Sequence, residues 1–120
     1  MMNAEHKVEQ STVVMNAFGR ACEAFGLNET QRAKLIGVSR ATLSRNRTGF
    51  GMSTKTFELQ VAFIRLYRSL YAMVGGDANA MREWFDDHNI HLQGTPRELC
   101  FSITGLVHIN DYLDALRGKV

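Results

Sequence analysis

At 120 residues the chain can bury one sizeable core, or two small helical units, and is too short for several independent domains. Its 45% hydrophobic and 22% charged content is that of a globular protein and excludes disordered and collagen-like classes. The net charge is only +2, yet Arg32, Lys34, Arg40, Arg45, Arg47 and Lys55 fall between Thr30 and Phe57 with no acidic residue among them, whereas residues 77 to 120 carry seven acids against four bases. One basic face and one acidic half predict two different partners.

Residues 1 to 10 are polar and are expected to fray, after which Val13, Val14, Ala17, Phe18, Ala21, Cys22 and Phe25 recur at helical spacing up to Gly26. Asn28 with Gln31 reads as a capping box opening a short helix through Ala33, Leu35 and Ile36, which Gly37 stops. Ser39 then caps a helix from Arg40 to about Arg47 that buries Leu43 and turns Arg40, Thr42, Ser44, Arg45 and Arg47 outward. After a loop over residues 48 to 52, Ser53 or Thr54 begins a long helix that reaches Val74 and ends at Gly75 and Gly76. It reads as a strut joining two modules, with a surface suited to dimerisation.

Asp77 caps a helix presenting Met81, Trp84 and Phe85, and an irregular stretch runs from His88 to Gly94. Thr95, Pro96 and Glu98 supply an N-cap, a first-turn proline and a capping-box glutamate, which predicts a helix from Pro96 to about Ser102. Gly105 marks a break, and the last helix spans about Leu106 to Arg117, closed by Gly118. The fold class is therefore all-α, with an N-terminal domain over 11–75 that includes the connecting helix and a C-terminal domain over 76–120.

A helix-turn-helix needs a small residue where its helices cross, a residue tolerant of positive φ in its turn and an apolar anchor in its second helix. Ala33, Gly37 and Leu43 supply these in order, with Val38 for the core and Ser39 for the cap. The segment QRAKLIGVSRATLSR resembles the DNA-binding unit of the Xre and phage-repressor family. Docked in a major groove as such units are, it would use Gln31, Arg32, Ser39, Arg40, Thr42, Ser44, Arg45 and Arg47 against bases and phosphates of an operator duplex. Asn46 stands where the family often has a bulky apolar residue, so a shorter recognition helix is expected.

Farther on, Trp84, Phe85, Asn89, Leu92, Gly94, Pro96 and Leu99, followed by Gly105, Tyr112, Leu113 and Gly118, form a pattern similar to the toxin-binding domain of the Xre/MbcA/ParS antitoxins. The resemblance implies a type II antitoxin that silences a RES-domain toxin acting on NAD+ and represses its own operon; a homodimer is expected because helix-turn-helix readers usually bind two half-sites. It places Trp84, Leu92, Tyr112, Leu116, Arg117, Gly118, Lys119 and Val120 at the toxin interface, with the residues beyond Gly118 as a tail that enters the toxin. Most of these residues also have a structural explanation: a tryptophan anchors a core, and glycine and proline shape turns. A stand-alone Xre-type repressor whose C-terminal half dimerises or senses a ligand is the alternative.

Cys22 and Cys100 lie amid apolar residues without a CxxC pattern and read as buried thiols. His88 and His91, beside Asp86 and Asp87, are too few for a zinc site. No phosphate loop, nucleophile elbow or catalytic triad spacing is found, so neither enzyme activity nor a cofactor is expected. The sequence has no signal-peptide pattern and no apolar span, which predicts a cytoplasmic protein without membrane contact.

Overall fold

The computed structural model describes residues 4–118. Among these it contains α1 (Ala4–Ala24), α2 (Glu29–Leu35), α3 (Arg40–Arg45), α4 (Lys55–Met73), α5 (Ala78–Asp86), α6 (Pro96–Leu99) and α7 (Ile103–Leu116). Apart from one isolated bridge between Asn89 and Gly94 there is no β-structure among the described residues, so the protein is all-α as its sequence predicts. The chain divides into two compact units, one up to Val61 and one from Ala62, and the division falls inside α4. Among the described residues no helix is long and apolar enough to cross a membrane.

In the first unit the buried stripe of α1, Phe18, Ala21 and Cys22, belongs to the same core as Phe25 just beyond the helix and Leu27, Ala33, Leu35, Ile36, Leu43 and Phe50. Full burial of each large side chain contributes ~1.5–3 kcal/mol, which is what fixes these short helices. The stripe begins lower than its hydrophobic pattern suggests: Val13 is 61% exposed, whereas Ser11 is buried. The cause lies in the loop after α3. Gly49, at φ +112°, lies so close to α1 that a Cβ there would sit 2.2 Å from the Ser11 carbonyl oxygen. The Thr12 hydroxyl donates to the Thr48 carbonyl at 2.9 Å, fastening the same loop.

In the second unit Phe63, Leu66 and Leu70 from α4, Met81 and Phe85 from α5, and Leu106, Ile109 and Leu113 from α7 form the core. Phe63 and Phe85 meet edge to face at 6.3 Å, a favoured aromatic geometry. Polar ties connect α4 and α7. Asn110 Nδ2 donates to the Ala62 carbonyl at 3.0 Å, Arg117 donates to Ser69 Oγ at 3.0 Å, and Arg65 pairs with Asp114.

Several boundaries differ from those read off the sequence. α1 is already formed at Ala4, because Ala4, Glu5, Lys7, Glu9 and Gln10 are strong helix formers that extend the ladder although residues 4 to 10 are all exposed. α3 stops at Arg45, two residues short of Arg47, where Asn46 Nδ2 turns back to donate to the Thr42 carbonyl at 2.7 Å. α6 ends at Leu99 and not near Ser102, and Thr95 makes no side-chain cap. Gly105 does not break the chain but lies within α7, which Ser102 caps by accepting from Gly105 N at 3.0 Å. Glycine is needed there for proximity, since a Cβ would fall 2.0 Å from the Leu99 carbonyl oxygen.

Candidate nucleic-acid and protein interfaces

The turn between α2 and α3 is built from local hydrogen bonds that the sequence specifies. Asn28 Oδ1 accepts from Gln31 N at 2.9 Å while Gln31 Oε1 accepts from Asn28 N at 2.8 Å, completing the capping box. At the other end Gly37, at φ +73°, lets Val38 N donate to the Ala33 carbonyl and Gly37 N to the Lys34 carbonyl, the paired bonds of a Schellman motif. Ser39 Oγ then accepts from Thr42 N at 3.0 Å and opens α3. Two short helices are thus joined by a turn whose conformation is set at both ends.

The eight residues expected at DNA divide by the work their side chains already do. Gln31 and Ser39 are caps, and half-buried Arg32 is held by a 2.8 Å bond from Nε to the Leu27 carbonyl, with Glu29 3.7 Å from its other nitrogen. Thr42 is half-buried, its hydroxyl 3.0 Å from that of Ser39. Arg40, Ser44, Arg45 and Arg47 are exposed. On a helix, residues three and four apart share a face, so Arg40 and Ser44 form one row, with Arg45 beside Ala41 in the next, and Arg47 follows in the turn after α3. Ala41 is exposed as well and was not singled out by sequence; its position between two arginines is the only signal it carries.

Beside this row α1, α2 and α3 enclose an open groove of about 550 Å³. Its polar lining includes Arg20, Glu23, Glu29, Arg32, Ser44 and Arg47, and Met15, Phe18 and Leu43 belong to its floor. Arg20, on α1, is a cation that the helix-turn-helix pattern alone does not point to.

The second unit explains its own sequence signature. Asn89 Oδ1 accepts from His91 N at 2.9 Å and Leu92 N at 3.0 Å, an Asx turn, and the Asn89 and Gly94 backbones bond in both directions. Leu92 is 3% exposed and plugs the core, so it shapes a surface without forming it. Arg97 lies over the Phe85 ring at 5.1 Å and donates to Asp86 Oδ1 at 2.7 Å, tying α6 to α5. Cys100 Sγ donates to the Arg97 carbonyl at 3.1 Å, and burial pushes its thiol up to about 12, outweighing the opposing influence of the Arg97 charge.

The turn leaves Ile90 78% exposed at its tip, a residue that sequence reading passed over although the N-x-x-L spacing requires something to face outward there. Next to it the His91 ring stacks on Tyr112 at 5.8 Å, and Leu116, one turn along α7 from Tyr112, is 52% exposed. His91, Tyr112 and Leu116 therefore belong to one apolar and aromatic strip, with Ile90 exposed beside His91 in the chain. Trp84 is half-buried on α5; Arg117 caps α7, followed by Gly118 at φ +73°. Lys119 and Val120 lie outside the described residues. Among the described residues no group of three or more His, Cys, Asp or Glu side chains is placed to hold a metal ion.

Comparison with protein families gives two matches. Residues 4–65 match the antitoxin Xre-like helix-turn-helix domain, and residues 69–119 match the antitoxin Xre/MbcA/ParS C-terminal toxin-binding domain. No curated protein matches the chain.

Proposed function

The chain belongs to the antitoxins that couple an Xre-like helix-turn-helix to an Xre/MbcA/ParS toxin-binding domain, and from that premise we propose that it neutralises a RES-domain toxin acting on NAD+ and represses its own operon as a homodimer. The observation that carries this reading is the pairing, in one chain, of a basic helix-turn-helix face with a separate apolar and aromatic strip. Neither of the two matched families is enzymatic.

On the DNA side, Arg40 and Arg45 read base edges in the major groove, with Arg47, Arg32 and Gln31 toward phosphates. A helix-turn-helix reader places two copies on two half-sites one helical turn apart, which is the support for a dimer. On the protein side, Tyr112, Leu116 and Ile90 supply the buried centre of a toxin interface, to which Trp84, Arg117, Gly118, Lys119 and Val120 also contribute. Exposed apolar groups framed by charge favour a protein partner over nucleic acid. The RES identity of the toxin rests on the resemblance of the C-terminal pattern.

The test is co-expression with the product of an adjacent reading frame. Growth and the cellular NAD+ pool should collapse when that product is made alone and recover when this chain is supplied, while a reporter behind the upstream DNA falls silent. Rescue with no fall in NAD+ beforehand would remove the RES assignment; absence of rescue would favour the stand-alone repressor.

A further inference from the structure

We infer that the groove between α1 and the helix-turn-helix is a track for the DNA phosphate backbone, and that Arg20, outside the helix-turn-helix itself, neutralises a phosphate in it. The inference rests on the DNA-binding reading above and extends it to α1 and to a residue, Arg20, that this reading does not use. Ser44, in the exposed row of α3, and Arg47, exposed in the turn that follows it, both line the groove, so a duplex seated on that row continues into the groove. Three guanidinium groups line it, and they are not equivalent. Arg32 is committed to the Leu27 carbonyl and to Glu29, and Arg47 bonds from Nε to the Ser44 carbonyl of its own turn at 3.3 Å. Arg20 is exposed and makes no ion pair among the described residues, which leaves its planar fork to a doubly accepting phosphate.

Shape agrees with charge. Gly19, beside Arg20, has open space where a Cβ would stand, so the α1 wall is low at the point where a sugar-phosphate chain would pass. The floor residues Phe18 and Leu43 are 1% and 7% exposed, so the side chains that reach solvent most freely along the groove are those of its walls. Glu23, on the same wall as Arg20, opposes an anion and so limits affinity; the groove is tuned for a moderate, sequence-independent contact.

Full-length protein would be titrated against mixed-sequence duplex DNA by fluorescence anisotropy over a range of salt. Each phosphate neutralised contributes ~0.9 to the slope of log affinity against log salt, so Arg20→Gln should lower the slope by about that amount per bound protomer and weaken binding roughly fivefold at about 0.15 M salt. Arg20→Lys should keep the slope, Glu23→Gln should tighten binding, and Gly19→Leu should weaken it by occupying the groove. Arg68→Gln, an exposed cation of the second unit, controls for net charge and should change nothing, and unaltered thermal melts exclude unfolding. Wild-type slope and affinity for Arg20→Gln overturn the inference and leave the DNA-binding reading intact. No salt-dependent binding by the wild type removes both. If Arg20→Gln keeps DNA binding but loses rescue from the toxin, the groove is a protein site and the inference is wrong.

Discussion

Arg40 and Arg45 stand out because they are exposed and neither caps a helix, as Gln31 and Ser39 do, nor is held to a backbone carbonyl, as Arg32 is. Replacement of both by alanine should weaken operator binding by ~1–3 kcal/mol for each arginine that reads a guanine edge, with toxin rescue retained. A gel-shift titration against the upstream DNA that gave wild-type affinity would remove the base-reading assignment. Cys100 gives a second prediction at this scale. Its folded-state thiol stays neutral up to about 12, whereas the unfolded chain ionises near the ordinary value of 9.0. The stability it contributes is thus whole below about pH 9 and lost as pH rises toward 12, at up to ~1.4 kcal/mol per pH unit. Urea midpoints from about pH 8 to about pH 10.5 should fall more steeply for the wild type than for Cys100→Ala, whose baseline is lower because of its cavity. Parallel curves would show that Cys100 titrates normally.

At the scale of elements, the two glycines that touch neighbouring backbone should be the least replaceable residues for their size. Gly49→Ala drives a Cβ into the Ser11 carbonyl at a positive φ, and Gly105→Ala drives one into the Leu99 carbonyl. Both oppose backbone and not flexible side chains, so each should lose about 2 kcal/mol or more in chemical denaturation, whereas Gly19→Ala, with open space, should stabilise α1 slightly. Equal stability of all three variants would show that the loop and α6 adjust freely. The same contrast explains what was legible in the sequence. Asn28, Gln31, Gly37, Ser39 and Asp77 act through hydrogen bonds within a few residues, so their roles could be read from spacing alone. Gly105 looked like a break because its partner, Leu99, belongs to another helix, and Ser11 became buried because a loop from residue 49 covers it. The exposed strip was hidden for a related reason: the signature residues Asn89, Leu92 and Gly94 build the turn, while the residues it displays, Ile90 and His91, lie between them.

At the scale of the molecule, the two units carry different surfaces. The exposed bases of α3 and the groove belong to the first, and Ile90 with the strip of Tyr112 and Leu116 to the second. If the proposal is right, the two activities should be separable by surface substitutions that leave each core untouched. Ile90→Asp with Leu116→Asp places two charges where an interface would bury them, which costs far more in a desolvated patch than on a free surface. Both side chains are more than half exposed, so folding should be unaffected. The double variant should lose rescue of toxin-expressing cells and co-purification with the toxin, yet bind mixed-sequence DNA with the wild-type salt slope. Arg40→Ala with Arg45→Ala should show the reverse pattern. A stand-alone repressor makes a different prediction: its strip serves dimerisation, so the Ile90 and Leu116 variant would lose DNA affinity together with the dimer, as seen by sedimentation. Measuring rescue, DNA affinity and oligomeric state on the same two variants therefore decides between an antitoxin with independent surfaces and a repressor whose second unit exists to pair its first.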